Sequence, residues 1–256
     1  MSQTISIKKQ TSYALQKNAI TLKERVNEVQ IKELKAKLKD SPPRGLYLFL
    51  GEEEFLKRRY QSIIREKLAV TAEEFNLLSI KNEKPDLAAI HAFIESPPFA
   101  SESKLLLIKN SGIFKQAAED QKSFWTHAFP SLPDYLCLVF CEEQADKRSV
   151  LYKAADKNGT VVTFDLQDTD SLCSFVLLEA KKFGKTLSRD TALYLIERSG
   201  DNLEAITSEL DKLVSYCDGP EISKSAIDEV VSQALTNRVF ELTDAAMNQK
   251  LSLIHI

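Results

Sequence analysis

The chain has 256 residues, 43% of them hydrophobic and 28% charged. That is an ordinary globular composition with no run near the ~20 apolar residues of a membrane span; collagen-like, low-complexity, wholly disordered and membrane-spanning chains are excluded, and the length favours two domains. The net charge of −3 is unevenly spread: residues 1–40 hold nine Lys/Arg against four Asp/Glu, net +5, leaving −8 for the rest, which argues against a broad basic nucleic-acid surface on the body.

Residues 1–25 show no clean period; with Lys8, Lys9, Lys17 and Lys23 but no apolar h-region, they read as a basic leader rather than a signal peptide. Val29, Leu34 and Leu38 mark a helix ending near Asp40, and Ser41-Pro-Pro-Arg-Gly45 breaks it. Leu46–Leu50 is a continuous apolar run, the mark of a strand covered on both faces. After Gly51, Glu52–Leu68 reads as a helix with Phe55, Leu56, Ile63, Ile64 and Leu68 on one side. Phe75–Ile80 is strand-like, Pro85–Ile94 helical, Lys104–Ile108 a second buried strand and Phe114–Phe129 a helix. Leu136–Cys141 is a third buried strand, Ser149–Lys157 a helix stopped by Asn158-Gly159, and Thr160–Phe164 a last strand. Strands alternating with helices imply a mainly parallel sheet.

Beyond Asp165 only helical periodicity remains. Ser188, Asp201-Asn202 and Ser223 are helix-start signals, and Gly184 and Gly200 are stops, giving a unit of three or four helices hinged at Gln167–Thr169. A final helix is expected over Asn237–Asn248. Cys137 and Cys141 share a strand face about 13 Å apart, too far to bridge, and no Cys-x-x-Cys pair or histidine cluster suggests zinc. The four cysteines read as buried reduced thiols in a reducing compartment.

An α/β sheet followed by a small helical unit is the plan of a nucleotide-binding ATPase with its lid. The loop after the first strand tests it. A phosphate loop needs several glycines, a lysine and a Ser/Thr for magnesium. Here the strand runs into Gly51-Glu52-Glu53-Glu54-Phe55, with one glycine and three acids that complement a helix N-terminus and repel a polyphosphate. Glu73-Glu74, Glu142-Glu143 and Lys147-Arg148 read as solvated pairs at strand or helix ends. Ser96-Pro-Pro-Phe-Ala-Ser101 is different: two prolines stiffen a loop that carries an aromatic side chain, an arrangement suited to an apolar pocket on a partner unless Phe99 folds back onto its own core.

These segments, in this order, resemble the delta-subunit family of bacterial DNA polymerase III, the clamp-opening subunit of the clamp loader. The resemblance is carried by Leu46-Tyr-Leu-Phe-Leu-Gly-Glu-Glu-Glu-Phe-Leu56, Ser96–Ser101 leading into Lys104–Ile108, Leu138-Val-Phe140 to Ala145-Asp-Lys-Arg148, Gly200-Asp-Asn-Leu203 to Glu209–Leu213, and Val239–Ala245. It implies an AAA+-like α/β domain without a phosphate loop over residues 41–166, after a basic leader and helix (1–40), then a helical lid-like domain over 167–236 and the start of a truncated helical collar domain over 237–256. It also implies a catalytically silent, cytoplasmic subunit of a nucleotidyltransferase holoenzyme, with no cofactor or metal. In this family an early lid arginine contacts ATP in working relatives; the equivalent position here is Leu203, and no Ser-Arg-Cys motif is present. The clamp-contacting pair falls at Pro98 and Phe99, a departure from the Leu-Phe pair of the family. The implied partners are the sliding clamp (beta subunit) and, through the collar, the ATP-binding subunits and the delta-prime subunit, with DNA met indirectly. A working AAA+ ATPase and a non-enzymatic interaction protein are the alternatives.

Overall fold

A computed structural model of the chain describes residues 29–232. They form two compact units that divide between Leu166 and Gln167.

The first unit is a five-stranded, wholly parallel sheet with helices on both faces. Helix α1 (29–40) precedes β1 (Gly45–Leu50), and α2 (Glu54–Leu68) and α3 (Glu73–Asn76) lead to β2 (Leu77–Lys81). Then follow α4 (Leu87–Glu95), β3 (Lys104–Lys109), α5 (Glu119–Ala128), β4 (Leu136–Cys141), α6 (Val150–Asn158) and β5 (Gly159–Thr163). The strand order is β2-β3-β4-β1-β5, with every neighbouring pair parallel. This is the expected mainly parallel α/β sheet with flanking helices.

The central strands read as unbroken apolar runs because each of their faces is covered. From β1, Leu46, Leu48 and Leu50 pack with α4, α5 and α6 in a core that holds Trp125 and Phe140 with ring centroids 5.0 Å apart. Tyr47 and Phe49 point the other way, against Leu34 and Leu38 of α1 and Tyr60, Ile64 and Leu68 of α2.

Three expectations shift. Helix α2 begins at Glu54 rather than Glu52, and its buried face is Lys57, Tyr60, Gln61, Ile64 and Leu68, while Phe55, Leu56 and Ile63 are only partly covered. Phe75 is not in a strand: Ala72 at φ 48° opens the single helical turn of α3, and β2 starts at Leu77. Residues 114–118 are not helical. The Glu142 carboxylate holds the turn before them, accepting from the Ser111 hydroxyl (2.5 Å), the Ser111 N–H and the Gly112 N–H (both 2.9 Å), so that Ile113 and Phe114 plug the core as a turn.

The second unit, as far as it is described, is α7 (Thr169–Lys182), α8 (Arg189–Ser199), α9 (Leu203–Tyr216) and α10 (Lys224–Val230). Ser188, Asn202 and Ser223 accept first-turn N–H bonds as N-caps, each worth about 1 kcal/mol. The expected early-lid position, Leu203, is 1% exposed and belongs to the packed interior of this unit. The helix expected at 237–248 lies outside the described residues.

Candidate functional site

Two loops at strand ends carry the functional question. The first follows β1, where a triphosphate would sit in an ATPase of this plan. Gly51 turns at φ 104°. Its N–H donates to the Glu143 carbonyl at 3.1 Å, and the Glu53 N–H donates to the Phe164 carbonyl at 3.0 Å. Glu53 is the N-cap of α2, and its carboxylate accepts from the Phe55 N–H at 3.1 Å. Three N–H donors of this turn, those of Gly51, Glu53 and Phe55, are therefore bonded to the protein's own oxygens.

Sequence reading missed the cation beneath this turn. Lys57 is fully buried; its Nζ donates to the Gly51 carbonyl at 2.6 Å, lies 2.6 Å from the Glu54 carboxylate and reaches the Glu142 carbonyl at 3.4 Å. It sits one turn inside α2 on the face that looks at the sheet, which a scan for apolar periodicity overlooks. The ammonium neutralises the acidic turn from within and fixes the carbonyl of Gly51 inward.

Burial raises the Glu53 carboxyl above its ordinary value of 4.5, against the opposing pull of the Phe55 N–H. A folded state that holds its proton more tightly is favoured at low pH. The contribution is present below the unfolded value near 4.5 and is lost as pH climbs through the raised folded one. Glu53→Gln keeps an oxygen for the Phe55 N–H and removes the buried charge. It is expected to melt higher than the parent at pH 7, with the advantage shrinking as pH falls to 4; an advantage independent of pH would contradict this account.

The second loop is Ser96–Ser103. Phe99 does not fold onto the core: it is 61% exposed, while Pro98 is partly buried. What holds the tip is Asn76, 0% exposed, at the end of α3. Its Nδ2 donates to the carbonyls of Phe99 (2.6 Å) and Thr71 (2.7 Å), and its Oδ1 accepts from the Phe99 N–H (2.8 Å). The Thr71 hydroxyl adds a bond to the Ala100 carbonyl at 2.5 Å. At the base of the loop, buried Lys104 donates to the carbonyls of Phe93 (2.6 Å) and Ser96 (2.9 Å) and to the Ser96 hydroxyl (2.7 Å), its Nζ lying 3.9 Å from the centre of the Phe93 ring. Desolvation lowers the pKa of this lysine. The stiffness attributed to two prolines thus has two further sources, both polar and both from outside the loop.

The remaining candidates are structural. Glu73 pairs with Arg65, with both side chains about half exposed, a contact of small value. Glu142, expected to be solvated, is instead 3% exposed, because its carboxylate caps the 111–112 turn through three hydrogen bonds. Arg148 contacts Asp146 at 3.4 Å beside the N-cap of α6. Among the described residues no group of three or more His, Cys, Asp or Glu could hold a metal ion, and no helix is long and apolar enough to cross a membrane. All four cysteines are free; Cys137, Cys141 and Cys173 are buried, and Cys217 is partly exposed. Burial pushes the Cys141 thiol up to about 12.

Residues 47–165 match the family model described as DNA polymerase III, delta subunit. The DNA polymerase III subunit delta of Bacillus subtilis is 25% identical over 224 residues, 83% of this chain and 64% of that protein. A chain of Aquifex aeolicus named "Probable DNA polymerase III subunit delta" is 24% identical over 214 residues, 79% of this chain and 59% of that one. This chain therefore spans somewhat under two thirds of the length of these relatives. Among solved structures, the Bacillus subtilis DNA clamp loader delta protein superposes with a TM-score of 0.74 at 24% identity, covering 88% of this chain and 70% of that one, a likeness of fold. By sequence over residues 47–165, and by fold, the chain is similar to the delta subunits of DNA polymerase III.

Proposed function

We propose that this chain acts as the delta subunit of a bacterial clamp loader: it binds the sliding clamp through Phe99 and Pro98 and favours the open ring, without hydrolysing ATP. A protein that binds the open form better than the closed one shifts the ring population by the difference in affinity alone. The observation that carries the reading is Phe99, more than half exposed on a tip pinned from beneath in a delta-like domain. An aromatic anchor held in one conformation binds without a large ordering cost.

The loop after β1 supports the silent half of the reading. Three carboxylates occupy the turn, the Gly51 and Glu53 amides are bonded to the Glu143 and Phe164 carbonyls, and the buried Lys57 is held by internal oxygens, an arrangement that among the described residues lacks the free lysine and glycine-rich backbone of a triphosphate site. Energy for loading then comes from ATP-binding partner subunits, reached together with delta-prime through a collar domain, and DNA is met through the assembled complex in the cytoplasm.

Two measurements test the proposal. The chain is expected to bind a bacterial sliding clamp saturably in surface plasmon resonance, and to show no saturable binding of labelled ATP with magnesium. Absence of clamp binding would overturn the first half, and saturable ATP binding the second.

A further inference from the structure

Phe99 does not stand alone. Phe75, on the neighbouring turn, is 57% exposed, and the two ring centroids lie 5.1 Å apart at 59°. Neither ring belongs to either face of the hydrophobic core. Two touching aromatic rings, each more than half open to water, are a costly arrangement for a surface that meets nothing.

The backbone around them is strained in a way that serves the exposure. Of the five non-glycine residues with positive φ among the described residues, Ala72 (48°) and Ala100 (48°) lie in the two segments that meet at this tip. A left-handed backbone is unfavourable for alanine and persists only where the surroundings over-determine it. Here the over-determining group is Asn76. By turning inward to bond Thr71 and Phe99, it leaves Phe75, one residue earlier, facing outward beside Phe99. One buried amide thus sets the positions of both rings.

We infer that Phe75 and Phe99 form a single two-ring anchor, with Phe75 supplying the second apolar contact that partly buried Pro98 is too short to make. This rests on the clamp-binding reading above and deepens it. The acids around the pair, exposed Glu74 next to Phe75 and Glu102 and Glu95 flanking the proline loop, specify the rest of the complement. The pocket on the clamp is an apolar slot wide enough for two rings, with cationic side chains at its rim.

A double-mutant cycle tests this with the whole chain and a bacterial sliding clamp. Phe75→Ala is expected to weaken binding about tenfold, and Phe99→Ala by about thirtyfold or more, with unchanged circular dichroism because both side chains are exposed. The two residues touch, so their effects will not simply add. The deciding comparison is Phe75→Ala in the Phe99→Ala background: a further loss of several-fold means that Phe75 itself touches the clamp. Parent-like binding by Phe75→Ala, or no further loss in the Phe99→Ala background, overturns the two-ring anchor and leaves the clamp-binding reading intact. Failure of the parent chain to bind the clamp removes both.

Discussion

Gly51→Ala is expected to cost about 4 kcal/mol of stability and to lower the melting temperature by about 10–15 °C. The residue sits at φ 104°, where an L side chain is strained, and an added Cβ would lie 2.1 Å from the Phe164 carbonyl oxygen. That oxygen also accepts from the Glu53 N–H, and the Phe164 N–H bonds Leu50 at 2.7 Å, so the clash cannot be relieved without opening the end of the sheet at β1 and β5. Gly45 is the control. It has φ 72°, but a Cβ added there would meet nothing within 4 Å, so Gly45→Ala should carry the backbone strain alone, about 1 kcal/mol. Equal melting temperatures for the two variants in calorimetry would show that the Gly51–Phe164 contact is not the constraint described.

Asn76→Ala should combine a stability loss with a binding loss. It removes three hydrogen bonds from a fully buried side chain and leaves the Phe99 N–H and the Phe99 and Thr71 carbonyls unpaired, for about 2–3 kcal/mol. The tip then gains freedom that must be given up on binding, so clamp affinity is expected to fall about tenfold or more although Phe75 and Phe99 are intact. Asn76→Asp is the sharper probe. It keeps an acceptor for the Phe99 N–H but turns a carboxylate toward two carbonyl oxygens, so at pH 7 it should be no better than alanine. An Asn76→Asp variant with parent stability and parent clamp affinity would sink the role given to this amide.

The two variants act on the two loops for different reasons, and the sequence was informative about them to different degrees. The loop after β1 was legible because its signal is local: one glycine and three consecutive acids lack the residue types of a phosphate cradle whatever the rest of the fold does. The proline loop was legible as a stiff presenter of Phe99 for the same reason. The polar supports of both were not. Lys57, Asn76 and Lys104 are common residue types at ordinary positions, and only burial beside carbonyls from distant segments gives them their roles.

By itself the sequence determined the α/β alternation, the change to helices in the described part of the second unit and its N-caps. Apolar period, proline, glycine and capping side chains act over a few residues and are readable there. Only the tertiary structure decided the strand order β2-β3-β4-β1-β5, since many crossover paths satisfy the same local pattern. It also decided that Phe75 leaves the strand it was expected to begin, because Asn76 gains three hydrogen bonds to residues 71 and 99 that no local window contains. The pairing of Phe75 with Phe99 follows from that choice, across 24 residues of chain.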